Sequence, residues 1–280
     1  MKGSAIIWVN GELVPAETLK VSPFDLGLSV GHGVFETVVA YDGVVFAVDR
    51  HMQRLVTALA KLQLYVPDLD ELKEACLRVL TANDLTKGRV RVRVSVSGGV
   101  NALVGGDVPG NVIVTAVRQA KPTAFAKAII SRFKYNEASP LAGVKSSSYG
   151  VNLLAYRDAV LQGADEALMF NTSGALCEGT MSNVFVVCDG VVSTPSLDSG
   201  CLPGVTRGLI LEVCESLEIP CSEGKLVKSD LLNACEIFLT SSVREVQLAT
   251  MDLAASACCG AVTARIADAY HEIVRKETRG

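Results

Sequence analysis

From Arg89 to Val96 the chain alternates without a break: Val90, Val92, Val94 and Val96 take every second place, and Arg89, Arg91, Arg93 and Ser95 fill the places between. Only an extended strand, with its period of two, sends those two sets to opposite faces, so the segment reads as a strand with one buried and one polar face. A sheet built on such a strand needs helices to cover its apolar side. Upstream, Met52, Leu55, Leu59 and Leu62 fall on one stripe of a helix from Arg50 to about Leu64, and a second helix around Leu69 to Leu80 carries a similar stripe. Ile6 to Val9 reads as a strand, and Thr37 to Tyr41, the turn Asp42-Gly43 and Val44 to Val48 read as a hairpin. After a loop marked by Gly98-Gly99 and Gly105-Gly106, Asn111 to Val117 reads as a buried strand.

The second half mixes strands (Ala128 to Phe133, Glu166 to Phe170, Asn183 to Cys188, Val191 to Thr194, Glu236 to Thr240) with helices near Gly150 to Leu161, Val205 to Leu217 and Ala261 to Lys276. Asp189-Gly190 between two apolar runs is a hairpin signal. The stretch from Gln119, with Lys121-Pro122, reads as an interdomain linker (residues 119–127) between domains of residues 1–118 and 128–280. At 280 residues and 49% apolar side chains the chain can bury a core of that extent, in a mixed α/β (α+β) fold.

A formal charge of −4, without clusters of Lys and Arg, gives no reason to expect nucleic acid as a partner and favours small molecules. Apolar runs such as Val112 to Val114 and Val184 to Cys188 fall well short of the roughly 18 residues of a membrane span. Ala5 to Val9 is too short for the apolar region of an export signal, so the expectation is a soluble, cytoplasmic protein. The nine cysteines include no C-x-x-C; Cys258 and Cys259 are adjacent, and the others are scattered among apolar neighbours as reduced thiols. His32, His51 and His271 are too dispersed for a ligand cluster, and no metal is expected.

Lys145 stands where an apolar approach, Leu141 to Val144, gives way to Ser146, Ser147, Ser148 and Tyr149. A tight, partly dry position there would disfavour the ammonium and make the amine a nucleophile near neutrality; the competing reading is a solvated surface lysine. Glu178 precedes an apolar strand, either as an exposed strand-end residue or as a carboxylate held against the ring nitrogen of a cofactor. Three segments can hold a phosphate: Arg54, the helix start at Gly204-Val205-Thr206, and Ser241-Ser242 after an apolar strand. Each also has an ordinary structural explanation as surface arginine, helix cap or turn.

In order along the chain stand Ser22-Pro-Phe-Asp-Leu-Gly27, Gly31-His-Gly-Val-Phe-Glu-Thr37, His51-Met-Gln-Arg-Leu55, Gly143-Val-Lys-Ser146 with Asn152, Glu178-Gly-Thr-Met-Ser-Asn-Val-Phe185, Leu202-Pro-Gly-Val-Thr-Arg207 and Thr240-Ser-Ser242. Together they resemble the class IV aminotransferases, the fold-type-IV pyridoxal 5'-phosphate enzymes that include branched-chain and D-amino-acid aminotransferases and 4-amino-4-deoxychorismate lyases. The resemblance implies a small N-terminal α/β domain, a larger C-terminal domain, the cofactor between them and a homodimer. It implies that Lys145 forms the Schiff base, Glu178 partners the pyridine nitrogen, and Arg54, Val205, Thr206, Ser241 and Ser242 hold the phosphate. Tyr149 stands one position earlier than a tyrosine of some members, and reads either as a ligand to the phenolic oxygen or as packing under the site.

The same resemblance implies transfer of an amino group from an amino donor to a keto-acid acceptor, with Lys145 as general base at the α-carbon. Thr37 places a hydroxyl where lyase-type members carry one, and a lyase releasing pyruvate and 4-aminobenzoate is the alternative. Gly98 to Gly106 lacks an arginine for a substrate carboxylate; Arg89, Arg91 and Arg93 either supply it or form a solvated face. A non-catalytic phosphate-compound binding protein is a third reading, opposed by the presence of both Lys145 and Glu178.

Overall fold

The computed structural model describes residues 5–100, 110–251 and 260–279. It has two compact units, one of Met1–Ala120, Val144–Tyr149 and Glu277–Gly280, the other of Lys121–Gly143 and Gly150–Lys276. The expected glycine pair at 105–106 and the cysteine pair at 258–259 lie outside the described residues.

The first unit contains β1 (Ile6–Val9), β2 (Glu12–Pro15), a short α1 (Leu26–Ser29), β3 (Gly33–Tyr41), β4 (Val44–Val45), α2 (Val48–Lys61), α3 (Leu69–Ala82), β5 (Arg89–Ser97) and β6 (Val112–Arg118). Its strands form one antiparallel sheet in the order β2-β1-β6-β5-β3-β4. The alternation of β5 does what its pattern requires. Its four valines are buried with Val34, Val38 and Ala40 of β3 and Val112 and Val114 of β6, under Met52, Leu55 and Leu59 of α2 and Leu72, Cys76 and Val79 of α3. Each such leucine contributes about 1.5–3 kcal/mol by leaving water. Asp68 starts α3 by accepting the Asp70 and Glu71 N–H groups.

The second strand of the expected hairpin is shorter than Val44 to Val48. Ala47 takes a left-handed φ of 51° and α2 begins at Val48, so β4 ends at Val45. The edge of β3 beyond β4 is instead taken by residues 145–147: the Phe35 N–H donates to the Lys145 carbonyl (3.0 Å), and the Ser147 N–H to that of Gly33 (2.8 Å).

The second unit contains β7 (Phe125–Tyr135), α4 (Gly150–Leu161), β8 (Glu166–Asn171), β9 (Leu176–Gly179), β10 (Asn183–Cys188), β11 (Val191–Pro195), α5 (Val205–Ser216), β12 (Cys221–Gly224), α6 (Lys228–Asn233), β13 (Glu236–Ser241), β14 (Glu245–Thr250) and most of α7 (Ala261–Thr278). Residues 125–127 of the expected linker are thus already strand. The eight strands run in the order β12-β11-β10-β13-β14-β7-β8-β9, and β9 also lies against β10 and β11, which curls the sheet toward closure. Asp189 (φ 49°) and Gly190 (φ 79°) make the two-residue turn between β10 and β11. Among the described residues no helix is long and apolar enough to cross a membrane, and no cluster of metal-ligating side chains occurs.

Candidate active site

In the first unit, Val34 and Ser146 pair directly across the β3 edge, so Lys145 comes opposite Phe35 on the polar side of the sheet. Lys145 Nζ lies 4.6 Å from the Phe35 ring centroid and 5.9 Å from that of Tyr149. The two rings meet edge-on at 5.5 Å. The Arg93 guanidinium lies 3.8 Å from the Phe35 centroid, a cation–π contact, and Arg93 pairs in register with Thr37. The polar face therefore gathers Lys145, Tyr149 and Arg93 around one aromatic ring, with Thr37 two residues along the same strand. The arginine row divides: Arg89 reaches the Ala120 carbonyl (2.6 Å), while Arg93 stays with Phe35.

Arg54 reaches from α2 to Glu36 of β3, near enough to Lys145 that the lysine charge bears on His51. Its Nε and Nη2 donate to Glu36 Oε1 and Oε2, both at 2.7 Å, and His51 Nδ1 lies 2.8 Å from Oε2. Glu36 is 1% exposed and His51 2%. Burial alone would push the Glu36 carboxyl up, but Arg54 and His51 together outweigh it and hold it well below the usual carboxylate range. Burial lowers His51, against the pull of Glu36, so the ring is neutral near pH 7 with its proton assigned to Nδ1, facing the carboxylate.

In the second unit Glu178 sits in β9, buried at 8% exposure, and accepts the Leu202 N–H (3.0 Å) and Asn183 Nδ2 (3.3 Å). Asn183 Nδ2 also reaches the Leu202 carbonyl (2.9 Å). Gly204 is the N-cap of α5, and no side chain caps that helix, which leaves the first-turn N–H groups of Val205 and Thr206 without a side-chain acceptor from the cap. Asn183 pairs across β10 and β13 with Thr240, whose Oγ1 is buried without a hydrogen-bond partner. Ser241 ends β13 and accepts the Arg244 N–H (3.0 Å); Ser242 follows in the turn to β14.

A second buried carboxylate fixes the turn after Glu178. Glu166, fully buried in β8, accepts the Thr180 N–H (2.9 Å), the Thr180 hydroxyl and Ser182 Oγ (2.8 Å), with Arg244 Nη2 at 3.4 Å. Asn152 of α4 donates to the Thr180 carbonyl (3.0 Å). Burial pushes the Cys76 thiol up to about 12 and the Cys201 thiol up to about 11, which leaves these two unreactive in the folded protein.

The expected residues fall into two sets by unit: Lys145, Tyr149, Thr37 and Arg54 in the first, Glu178, Val205, Thr206, Ser241 and Ser242 in the second. Reading the sequence missed Glu36, His51 and Glu166 as interacting residues. The available signal was an acid in the middle of an apolar strand, Val34 to Val39, followed by a histidine and an arginine three residues apart on the next helix.

A family model described as amino-transferase class IV matches residues 33–250. The aminodeoxychorismate lyase of Bacillus subtilis is 33% identical, covering 86% of this chain and 84% of its own. The branched-chain-amino-acid aminotransferase of Escherichia coli is 32% identical over 99% of this chain and 95% of its own. Among solved structures, the branched-chain aminotransferase of the archaeon Thermoproteus uzoniensis with norvaline superposes with a TM-score of 0.90 at 29% identity, over 98% of this chain and 96% of that one. A T.th. branched-chain amino acid aminotransferase complexed with N-(5'-phosphopyridoxyl)-L-glutamate superposes with a TM-score of 0.88 at 27% identity, over 99% of this chain and 95% of that one. The chain belongs to the class IV aminotransferase family.

Proposed function

We propose that this protein is a pyridoxal 5'-phosphate-dependent transaminase that moves an amino group between an amino donor and a 2-oxo acid, with Lys145 as the cofactor lysine. The observation that carries the reading is the placement of Lys145 Nζ over Phe35 beside Tyr149, on the face that also presents Thr37 and Arg93. The donor chemistry fits the cofactor. The uncapped start of α5, the orphaned Thr240 Oγ1 and the Ser241 and Ser242 hydroxyls suit a phosphate, and Glu178 offers a fixed carboxylate to a pyridinium nitrogen. The relative that carries a phosphopyridoxyl glutamate supports the same choice.

When bound, the cofactor supplies an electron-accepting ring conjugated to the substrate nitrogen. Glu178, held by Leu202 and Asn183, would accept a hydrogen bond from the protonated ring nitrogen. Arg54, the Val205 and Thr206 N–H groups, Ser241 and Ser242 would hold the phosphate, and Tyr149 would hold the phenolic oxygen. Lys145 Nζ would take the proton from the substrate α-carbon and return it once the amino group has moved. We place the protein in the cytosol and propose a homodimer, the latter supported by the exposed apolar side chains of Phe24, Leu28 and Val30.

A panel of amino donors added to the yellow protein should convert its spectrum to that of the aminated cofactor, and a 2-oxo acid should restore it. A second reading, the lyase, is favoured by Thr37 and by the 33% identical relative of that name. Pyruvate release from aminodeoxychorismate, with no donor converting the spectrum, would establish that reading in place of transamination.

A further inference from the structure

The trio of Glu36, His51 and Arg54 takes no part in the proton transfers above. We infer that Glu36 is the positioning residue of Arg54, holding the guanidinium in the one orientation that selects a phosphorylated cofactor over its unphosphorylated form; this rests on the proposed contact between Arg54 and the phosphate.

Two parallel bonds of 2.7 Å fix the guanidinium plane, as a bidentate carboxylate does wherever it meets an arginine edge. The carboxylate itself cannot turn. His51 Nδ1 and the Thr37 N–H (3.3 Å) hold Oε2, and β3 carries buried Val34 and Val38 two residues away on either side. A carboxylate buried among valines survives only when such donors surround it, so its presence in the apolar layer needs a compensating use. Arg54 is only 12% exposed, and its direction is set before any phosphate arrives, which removes the cost of ordering a long side chain on binding. Opposing this, the negative charge of Glu36 weakens the field of Arg54. If that effect prevailed, removing the charge would tighten phosphate binding.

The test uses the full-length protein, stripped of cofactor and titrated by absorbance with pyridoxal 5'-phosphate and, separately, with pyridoxal. Arg54→Gln calibrates the phosphate contact: if it leaves the preference for the phosphorylated form unchanged, the phosphate role of Arg54 fails, and this inference with it. Given that calibration, Glu36→Gln should lower affinity for pyridoxal 5'-phosphate on the order of ten- to a hundredfold, the range of a lost charge-assisted bond, while pyridoxal affinity stays within about twofold. Adding Glu36→Gln to Arg54→Gln should cost nothing more. An equal loss for both ligands would make Glu36 merely structural and overturn the inference, as would an unchanged or increased preference. Should Glu36→Gln not fold, Glu36→Asp, which keeps the charge but shortens its reach, must show an intermediate loss of preference; a preference equal to the parent's would overturn the inference equally.

Discussion

Replacing Gly204 with alanine tests how the second unit supports its carboxylate. The backbone at 204 (φ −65°, ψ 134°) suits any residue, so the substitution meets no conformational penalty. The obstacle is space: a Cβ there would lie 2.0 Å from Asn183 Oδ1 and 3.2 Å from Arg207 Cβ. Asn183 is 5% exposed, and its amide must swing away from Glu178 and the Leu202 carbonyl. Overpacking of this kind costs about 1–3 kcal/mol. A buried polar group left without its partner costs about 1–3 kcal/mol more. A loss of about 3 kcal/mol corresponds to a Tm roughly 6–12 °C lower for a protein of this size. Thermal unfolding followed by circular dichroism reads it directly. Adding Asn183→Ser, which shortens the clashing group, should leave the double variant more stable than the sum of the two single losses. A Gly204→Ala protein that melts within about 2 °C of the parent, with additive losses in the double variant, would refute this packing argument.

Lys145→Ala should lower turnover by about 10²–10⁴, the usual worth of a positioned general base, measured with the best donor and acceptor pair. Glu178→Gln removes the charge held by Leu202 and Asn183 and should reduce turnover about ten- to a hundredfold, with a folded protein by circular dichroism. Stability should fall on the acid side in two stages. His51 and Glu36 both have depressed folded pKa values, so the unfolded chain binds each proton first, and stability declines below about pH 6.5 through His51 and again below about pH 4.3 through Glu36. His51→Gln should flatten the upper stage and Glu36→Gln the lower one in urea titrations across pH; unchanged slopes would contradict the assignment. With a thiol reagent, exposed Cys188 should be labelled in the native protein, and buried Cys76 and Cys201 only on unfolding, as read by peptide mass mapping.

The parts of the fold legible in the sequence are those where one face is apolar and the other polar. The valines of β5 and the stripes of α2 and α3 announce themselves because burial follows the period of the element. β14 inverts that signal. Its buried positions are Glu245, Gln247 and Ala249, while Val246 and Leu248 are half-buried, because Gln247 satisfies its amide at Thr123 and Arg244, and Glu245 pairs with His271. β9 is four residues long and buried on both faces, too short for any period to show. In the site, Lys145 and Glu178 stand out by residue type in ordered motifs. The Glu36 bond to Arg54 does not, since it joins a strand to a helix 18 residues on and depends on which face each residue takes.

The most direct test of the account is covalent. Reducing the purified, coloured protein with borohydride and mapping its peptides by mass should find the phosphopyridoxyl group on Lys145 alone, with Lys145→Ala taking none. A label on another lysine, or a protein that stays colourless after incubation with pyridoxal 5'-phosphate, would contradict it.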